Sequence, residues 1–384
     1  MHCMRVPFGP QHPALPEPVH FTLKVEGEEV KGIDMSLGYN HRGIEKAFQQ
    51  RDVLKDIYLA ERVCGLCGHS HSSCFVKGVE DVLGIKAPER ANYIRTLVFE
   101  LSRIHSHMLF LAMTAYELGY DTLFQIIFKD REYCMELLEE ITGNRVHYVI
   151  NTFGGVRRDF KVNPKMREKL EILKKRIKYH EKAFNSEKSI VKRTRGKAVL
   201  THKDVIELGV VGPNARASGV SMDMRRDEPY FSYDDIKFKV ITKNRGDILS
   251  RINIRLEEVY ESLKMIDQLI EKMPSGKIRI PVNLGGIQDK EVVSRVEAPR
   301  GELVYYIRTS KGKTFPERVK IRTPTYATMT AMEKLLTGLQ IADVPIAIMS
   351  IDPCLSCTDR MTILDLKTGN KKIVSGDDLR HGNY

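Results

Sequence analysis

Two Cys-x-x-Cys pairs stand near opposite ends of this chain. Cys64 and Cys67 lie in Arg62-Val63-Cys64-Gly65-Leu66-Cys67-Gly68-His69-Ser70-His71, and Cys354 and Cys357 lie in Asp352-Pro353-Cys354-Leu355-Ser356-Cys357-Thr358-Asp359-Arg360. Two intervening residues let both thiolates of a pair turn to one point, and such soft donors suit zinc, iron–sulfur clusters or nickel. A structural zinc site is a serious rival, because four cysteines in two pairs are its usual donor set; a redox dithiol is another. Zinc ribbons, however, place their pairs ~15–20 residues apart, whereas here the 286 residues 68–353 intervene. A site assembled from distant segments is a costly staple, and a chain of 384 residues folds without one. A dithiol reading leaves the second pair without a purpose. The pattern points to a transition-metal centre that carries the chemistry.

The residues around the pairs carry a resemblance. Arg-x-Cys-Gly-x-Cys-x-x-x-His with Asp-Pro-Cys-x-x-Cys-x-x-Arg resembles the large subunit of nickel–iron (NiFe) hydrogenases. Gly9-Pro10-Gln11-His12-Pro13-Ala14, His41-Arg42-Gly43-Ile44-Glu45-Lys46, Gly154-Gly155-Val156 and Ala217-Ser218-Gly219-Val220 are similar to elements shared by the group 4, energy-converting hydrogenases and the homologous 49 kDa-type subunit of complex I. Glu297-Ala298-Pro299-Arg300-Gly301 resembles a further hydrogenase element. The resemblance covers nearly the whole chain. It implies that Cys64, Cys67, Cys354 and Cys357 bind nickel, with Cys67 and Cys357 bridging to an iron that carries carbon monoxide and cyanide, NiFe(CO)(CN)2. It implies reversible conversion of 2H+ and 2e- to H2, with Glu17 relaying protons from a thiolate, Arg300 overhanging the open metal face and Asp352 as its partner. His71, and in the same way Arg62, would orient a thiolate or a cyanide by hydrogen bonding. By spacing alone, Glu17 reads as a loop glutamate and Arg300 as a surface arginine; the resemblance reverses both.

One position departs from the family pattern. Many relatives carry a histidine three residues after the last cysteine, where it helps bind magnesium together with a glutamate matching Glu45. Arg360 stands there and cannot ligate a cation, so the expectation is a Glu45–Arg360 ion pair and no magnesium. The segment 361–384 is expected to be cut away once nickel is loaded; the alternative is a permanent β-extension starting at Met361–Leu366. The chain has no cysteine-rich run for iron–sulfur clusters. The resemblance accordingly implies an iron–sulfur small subunit, membrane-embedded antiporter-like and complex I-like subunits, ferredoxin as an indirect electron source, and a place on the cytoplasmic side of the membrane. Two other functions remain open: a complex I-like quinone- or partner-binding scaffold, and a related sulfur-reducing oxidoreductase. The four intact cysteines argue against the scaffold.

The elements that must position these residues show in the hydrophobic pattern. Val19–Gly38 reads as a hairpin around Gly27. Leu97, Leu101, Ile104, Met108 and Leu111 recur at helical spacing in a segment from Pro88 to about Tyr116, apolar almost all round and therefore expected in the interior. Helices are predicted at about Asp121–Thr142, Pro164–Asn185, Arg245–Glu271 and Thr325–Gly338, and strands within Ile278–Thr323, with Leu303, Tyr305 and Ile307 on one face. The fold class is α+β, mostly α: a helical bundle core with peripheral β-hairpin and sheet elements, arranged as one domain over residues 1–384. His105 and His107, on the interior helix, read equally as core histidines or as part of a proton path. Cys74 reads as a buried free thiol, and Cys3 and Cys134 lie outside the pairs.

Composition bounds the rest. No run of ~20 apolar residues suggests a membrane span; Thr96–Met113 is interrupted by Glu100, Arg103, His105 and His107. The N-terminus shows no secretory signal pattern. Seven cysteines, an odd number in a long chain, favour reduced thiols over a disulfide framework. The net charge of +11 is concentrated around Lys161–Lys203 and reads as a solvated helix and basic loop. Without a nucleic-acid-binding signature beside it, no nucleic-acid partner is expected.

Overall fold

The computed structural model describes residues 4–358, 361–364 and 371–374. Three antiparallel strands open the chain, β1 (Met4–Phe8), β2 (His20–Glu26) and β3 (Glu29–Ser36). Phe21, Leu23 and Val25 alternate inward along β2, as a half-buried strand requires. The predicted hairpin is therefore β2–β3, and β1 joins it as an edge strand that sequence reading missed. Pro7 explains the omission, because proline is tolerated only where a strand has a free edge.

Short helices α1 (Ile44–Phe48) and α2 (Val53–Glu61) lead to the first cysteine pair, and α3 (Gly68–Leu83) starts directly after Cys67. The long helix α4 (Glu89–Glu117) is buried on all sides from Ile94 to Met108, as its pattern predicts. It packs on α5 (Asp121–Thr142). After the two-residue strands β4 (Asn151–Thr152) and β5 (Gly155–Val156) come α6 (Pro164–Ser186), α7 (Lys188–Thr194), α8 (His202–Glu207), α9 (Gly212–Arg216), α10 (Met224–Asp227) and α11 (Ile248–Glu271). Asn163 and Asp247 cap α6 and α11 by accepting from Met166 N and Ser250 N, which sets where those helices begin. Helix α11 lies against both α4 and α6.

A second antiparallel sheet contains β6 (Lys290–Ala298), β7 (Gly301–Thr309) and β8 (Arg318–Arg322), and it rests on α3. Leu303, Tyr305 and Ile307 share its buried face. The strand pattern expected from Ile278 begins only at Lys290; Pro281 and Gly285 lie in the irregular stretch before it, where a regular ladder is disfavoured. The helix expected over Thr325–Gly338 is divided into α12 (Pro324–Thr328), a 3-10 turn at Met329–Ala331 and α13 (Met332–Leu336). At the break, the Thr330 hydroxyl donates to Leu208 and Ala327 carbonyls, competing with the helical ladder. Helix α14 (Val344–Ser350) precedes the second cysteine pair, and β9 (Met361–Leu364) pairs antiparallel with β10 (Lys371–Val374). Among the described residues, no helix is long and apolar enough to cross a membrane.

Much of the interior is ionic. Arg216 Nε donates to Glu258 at 2.8 Å and its Nη1 to Glu297 at 2.7 Å, while Arg225 forks onto Asp223 and also reaches Glu100. All of these groups are buried. Such charges persist in an interior only when paired, and here the pairs join α4, α9, α10, α11 and β6.

Candidate metal centre

The two cysteine loops meet. Cys64 Sγ lies 3.3 Å from Cys354 Sγ, and Cys354 Sγ lies 3.0 Å from Cys357 Sγ. Cys67 shares a second group of mutually close ligand atoms with Cys357 and His71. All four thiols are buried and none is in a disulfide. Cys67 occupies the cap position of α3, where the helix dipole favours an anion. Gly68 is required immediately after it, because a Cβ there would stand 2.7 Å from the Glu61 carbonyl. The other pair turns through a short 3-10 segment, Leu355–Cys357.

Electrostatics ask for a cation at this point. Hydrogen bonds from Cys354, Cys357 and Cys67, with the Arg300 charge, hold the Cys64 thiol well below its ordinary range against burial; Leu66 N and Cys67 N each lie 3.3 Å from its sulfur. For Cys67 and Cys354, donation by Cys357 pulls down, but donation to Cys64, burial and the Cys64 charge outweigh it and push both well up. Cys357, which donates to Cys354, Cys64 and Cys67, is raised as well. Four thiolates cannot share this buried space unless a soft metal cation compensates them, so the donor set fits a thiolate-bound metal.

Above the thiols opens a cavity of about 520 Å³, lined by Glu17, Cys64, Cys354, Phe110, Arg300 and Asp352. Arg300 is at the tip of the β6–β7 turn. Its backbone comes close to α9: a Cβ on Gly212 would stand 2.3 Å from Gly301 Cα, so only glycine lets the turn reach the site. Arg300 Nη2 donates to Asp352 Oδ1 and Nε to the Asp352 carbonyl, both at 2.7 Å. Burial works against the guanidinium charge, but Asp352 and the Cys354 and Cys64 sulfurs overcome it and raise its pKa well above the ordinary range. Glu17, on the β1–β2 loop, accepts from Ser356 N at 3.0 Å, and also from Leu355 N and the Ser356 hydroxyl. It therefore holds the loop between Cys354 and Cys357.

His71, one turn into α3, faces Cys357 Sγ through Nε2 at 3.9 Å and bonds Tyr305 Oη through Nδ1 at 2.8 Å. Burial drives its pKa down to about 4, against the pull of Cys64. Burial also keeps Tyr305 protonated by raising its pKa well up. A neutral His71 that accepts from Tyr305 at Nδ1 carries its proton on Nε2, toward the sulfur.

Arg62 is placed differently from expectation. Its side chain is exposed and turns back to the Tyr58 carbonyl at 3.0 Å, away from the thiols. It follows the last turn of α2 and points outward, so its carbonyl, not its guanidinium, lies at the site. His105 and His107 are core groups: His107 pairs with Glu258 at 2.9 Å, and His105 accepts from Arg131. Burial lowers the pKa of His107 to about 4 and that of His105 well below its ordinary value. Cys74 and Cys134 are buried thiols donating to the Ser294 and Leu101 carbonyls, and burial raises both to about 12. Cys3 and Arg360 lie outside the described residues, and the Glu45–Arg360 pair with them. The Glu45 carboxylate accepts from Ile321 N and pairs with Lys320, each at 2.9 Å. Sequence reasoning also missed Arg42, although it stands in a motif singled out above. Its partners are two carbonyls before Cys64 and one between Cys354 and Cys357, contacts that leave no trace in spacing.

Fold and site define a class of proteins in which two remote cysteine pairs are brought together beneath an arginine at the end of a β-turn. Residues 117–285 and 285–360 match the model of the respiratory-chain NADH dehydrogenase 49 kDa subunit, and residues 42–186 match that of nickel-dependent hydrogenase. The chain is 41% identical to the membrane-bound hydrogenase subunit alpha of Pyrococcus furiosus, over 98% of this chain and 91% of the relative. It is 36% identical to the carbon monoxide-induced hydrogenase of Rhodospirillum rubrum, over 94% of this chain and 100% of the relative. A solved subunit of the membrane-bound sulfane sulfur reductase, an archaeal respiratory membrane complex, superposes with a TM-score of 0.88 at 33% identity, covering 93% of this chain and 98% of that one. The chain belongs to the family that unites the large subunits of nickel-dependent hydrogenases with the 49 kDa subunit of the respiratory-chain NADH dehydrogenase.

Proposed function

We propose that this chain is the catalytic subunit of a NiFe hydrogenase that interconverts 2H+ and 2e- with H2, and that Cys64, Cys67, Cys354 and Cys357 hold its nickel and iron. The carrying observation is the convergence of four buried, unbridged thiols, with sulfurs as close as 3.0 and 3.3 Å, under a cavity bordered by Arg300. When bound, a nickel–iron group supplies the soft two-electron centre for heterolytic splitting of H2. The chain's own residues do the remainder. Arg300, held by Asp352, keeps a fixed positive charge in the cavity beside the Cys64 and Cys354 sulfurs. His71 Nε2 steadies the Cys357 sulfur. Glu17 takes and releases the proton at the cavity mouth through a carboxylate oxygen. Electrons enter from an iron–sulfur small subunit, fed indirectly by ferredoxin, within a complex whose membrane-embedded subunits are antiporter-like and complex I-like. The chain itself sits peripherally on the cytoplasmic side.

A sulfane sulfur reductase is the second reading, favoured by the 0.88 superposition on that complex. Metal analysis and infrared spectroscopy of the purified complex, with H2 turnover, test the first. Nickel and iron together, carbonyl and cyanide bands and H2 turnover are expected; turnover of sulfane sulfur without H2 would favour the second. Cys67→Ser or Cys357→Ser should lower H2 turnover at least ~100-fold and strip the metal, because a hydroxyl is a poor ligand for a soft metal. Full activity in either variant would remove that cysteine from the ligand set.

A further inference from the structure

We infer that Arg42 is a positioning residue that locks the two cysteine loops to each other from the outer side of the site. It follows β3 and stands just before α1. Its Nη1 donates to the Arg62 carbonyl at 2.8 Å, and its Nη2 to the Val63 carbonyl at 2.7 Å and the Ser356 carbonyl at 2.8 Å. One planar fork thus spans the residues leading into Cys64 and the middle of Cys354–Cys357. This geometry suits guanidinium and is beyond a lysine ammonium, which is a single point donor. The same Ser356 is gripped from the opposite direction: Glu17 accepts from its amide and its hydroxyl. All the polar groups of Ser356 are therefore engaged by the N-terminal segment, Glu17 on one side and Arg42 on the other. The segment Leu355–Cys357 is a short 3-10 turn, closed by Cys357 N to Cys354 O at 3.3 Å and Thr358 N to Leu355 O at 2.9 Å. So short a turn does not hold its own shape. Arg42 supplies the missing constraint, and the N-terminal sheet becomes a latch on the late-arriving C-terminal pair.

The role of this latch rests on reading the four thiols as one ligand set, but its test does not need the metal. The full chain is produced without nickel under reducing conditions, and the alkylation rate of each cysteine by iodoacetamide is followed by peptide mass spectrometry. In Arg42→Gln, Cys354 and Cys357 should react about tenfold faster than in the wild type, because local opening becomes easier. Cys74 and Cys134, buried elsewhere, should keep their rates. Arg42→Lys should behave like Arg42→Gln. The inference is overturned by unchanged rates at Cys354 and Cys357, by a parallel rise at Cys74 and Cys134, or by full protection in the lysine variant. Nickel in the wild-type complex is measured separately; its absence would count against the hydrogenase reading and leave the alkylation comparison standing.

Discussion

Glu17 illustrates how little a side chain's neighbours in sequence say about its task. Within Pro-rich Pro13–Pro18 it resembles any loop glutamate, yet the fold brings it to the peptide units of Leu355 and Ser356, between Cys354 and Cys357. As the carboxylate at the cavity mouth it is the proposed proton carrier. Glu17→Gln keeps the shape and one oxygen acceptor but cannot take up a proton. Steady-state H2 turnover of the complex is expected to fall about 100-fold or more, with nickel content unchanged by elemental analysis. Unchanged turnover would send the proton by another route. Arg300 shows the same: a surface-type arginine by spacing becomes a buried guanidinium bonded twice to Asp352, because the β6–β7 turn ends beside the thiols.

At the scale of elements, helix α2 buries a carboxyl group. Asp56 is fully buried, and neither carboxylate oxygen has a hydrogen-bond partner among the described residues. Burial raises its pKa from 3.8 to about 8, with Arg51 only partly offsetting this. The carboxyl is therefore neutral when folded and ionised when unfolded across that interval. Below about pH 4 both states are protonated and there is no penalty; as pH rises toward 8 the unfolded chain is favoured progressively. Asp56→Asn should remove this slope, stabilising the chain at pH 8 by several kcal/mol, at most about 5, with little effect at pH 4. Denaturant titrations at the two pH values check it, and parallel curves for wild type and variant would refute the burial argument. The ionic interior is a second element-level feature. Arg216 is the shared partner of Glu258 and Glu297, so Arg216→Ala leaves buried carboxylates uncompensated. A loss of about 3–5 kcal/mol is expected by chemical denaturation; a loss below ~1 kcal/mol would mean that the neighbouring arginines suffice.

For the whole molecule, closing the site requires the chain's ends to arrive together: β1–β3 and their loops hold the segment that follows α14. This gives a physical reason for a cleavable extension. In the uncut chain the second cysteine pair already rests against Glu17 and Arg42, so such an extension would act before that contact forms, by keeping the pair accessible for metal loading. The strands β9 and β10 show that the extension can form a hairpin of its own, as the alternative reading of Met361–Leu366 expected. Intact-mass measurement on the active complex separates the two. A chain ending at Arg360 is the expected result, and one ending at Tyr384 with full nickel and full activity would exclude processing.

Arg300 and Asp352 are assigned through the family resemblance, whereas the residues by themselves make legible four soft donors in two pairs, the interior helix around Leu97–Leu111 and the hairpin at Val19–Gly38. These are carried by residue type and short-range period, which local chain geometry translates directly. The sequence does not reveal that Arg62 points outward, that Arg42 bridges the cysteine loops, that Asp56 is left unpartnered, or that the helix after Thr325 breaks. Each depends on which carbonyl, carboxylate or void lies opposite a side chain from hundreds of residues away. Backbone carbonyls are identical in every residue, so a contact such as Arg42 with Val63 and Ser356 has no signature in residue type and only the tertiary structure decides it.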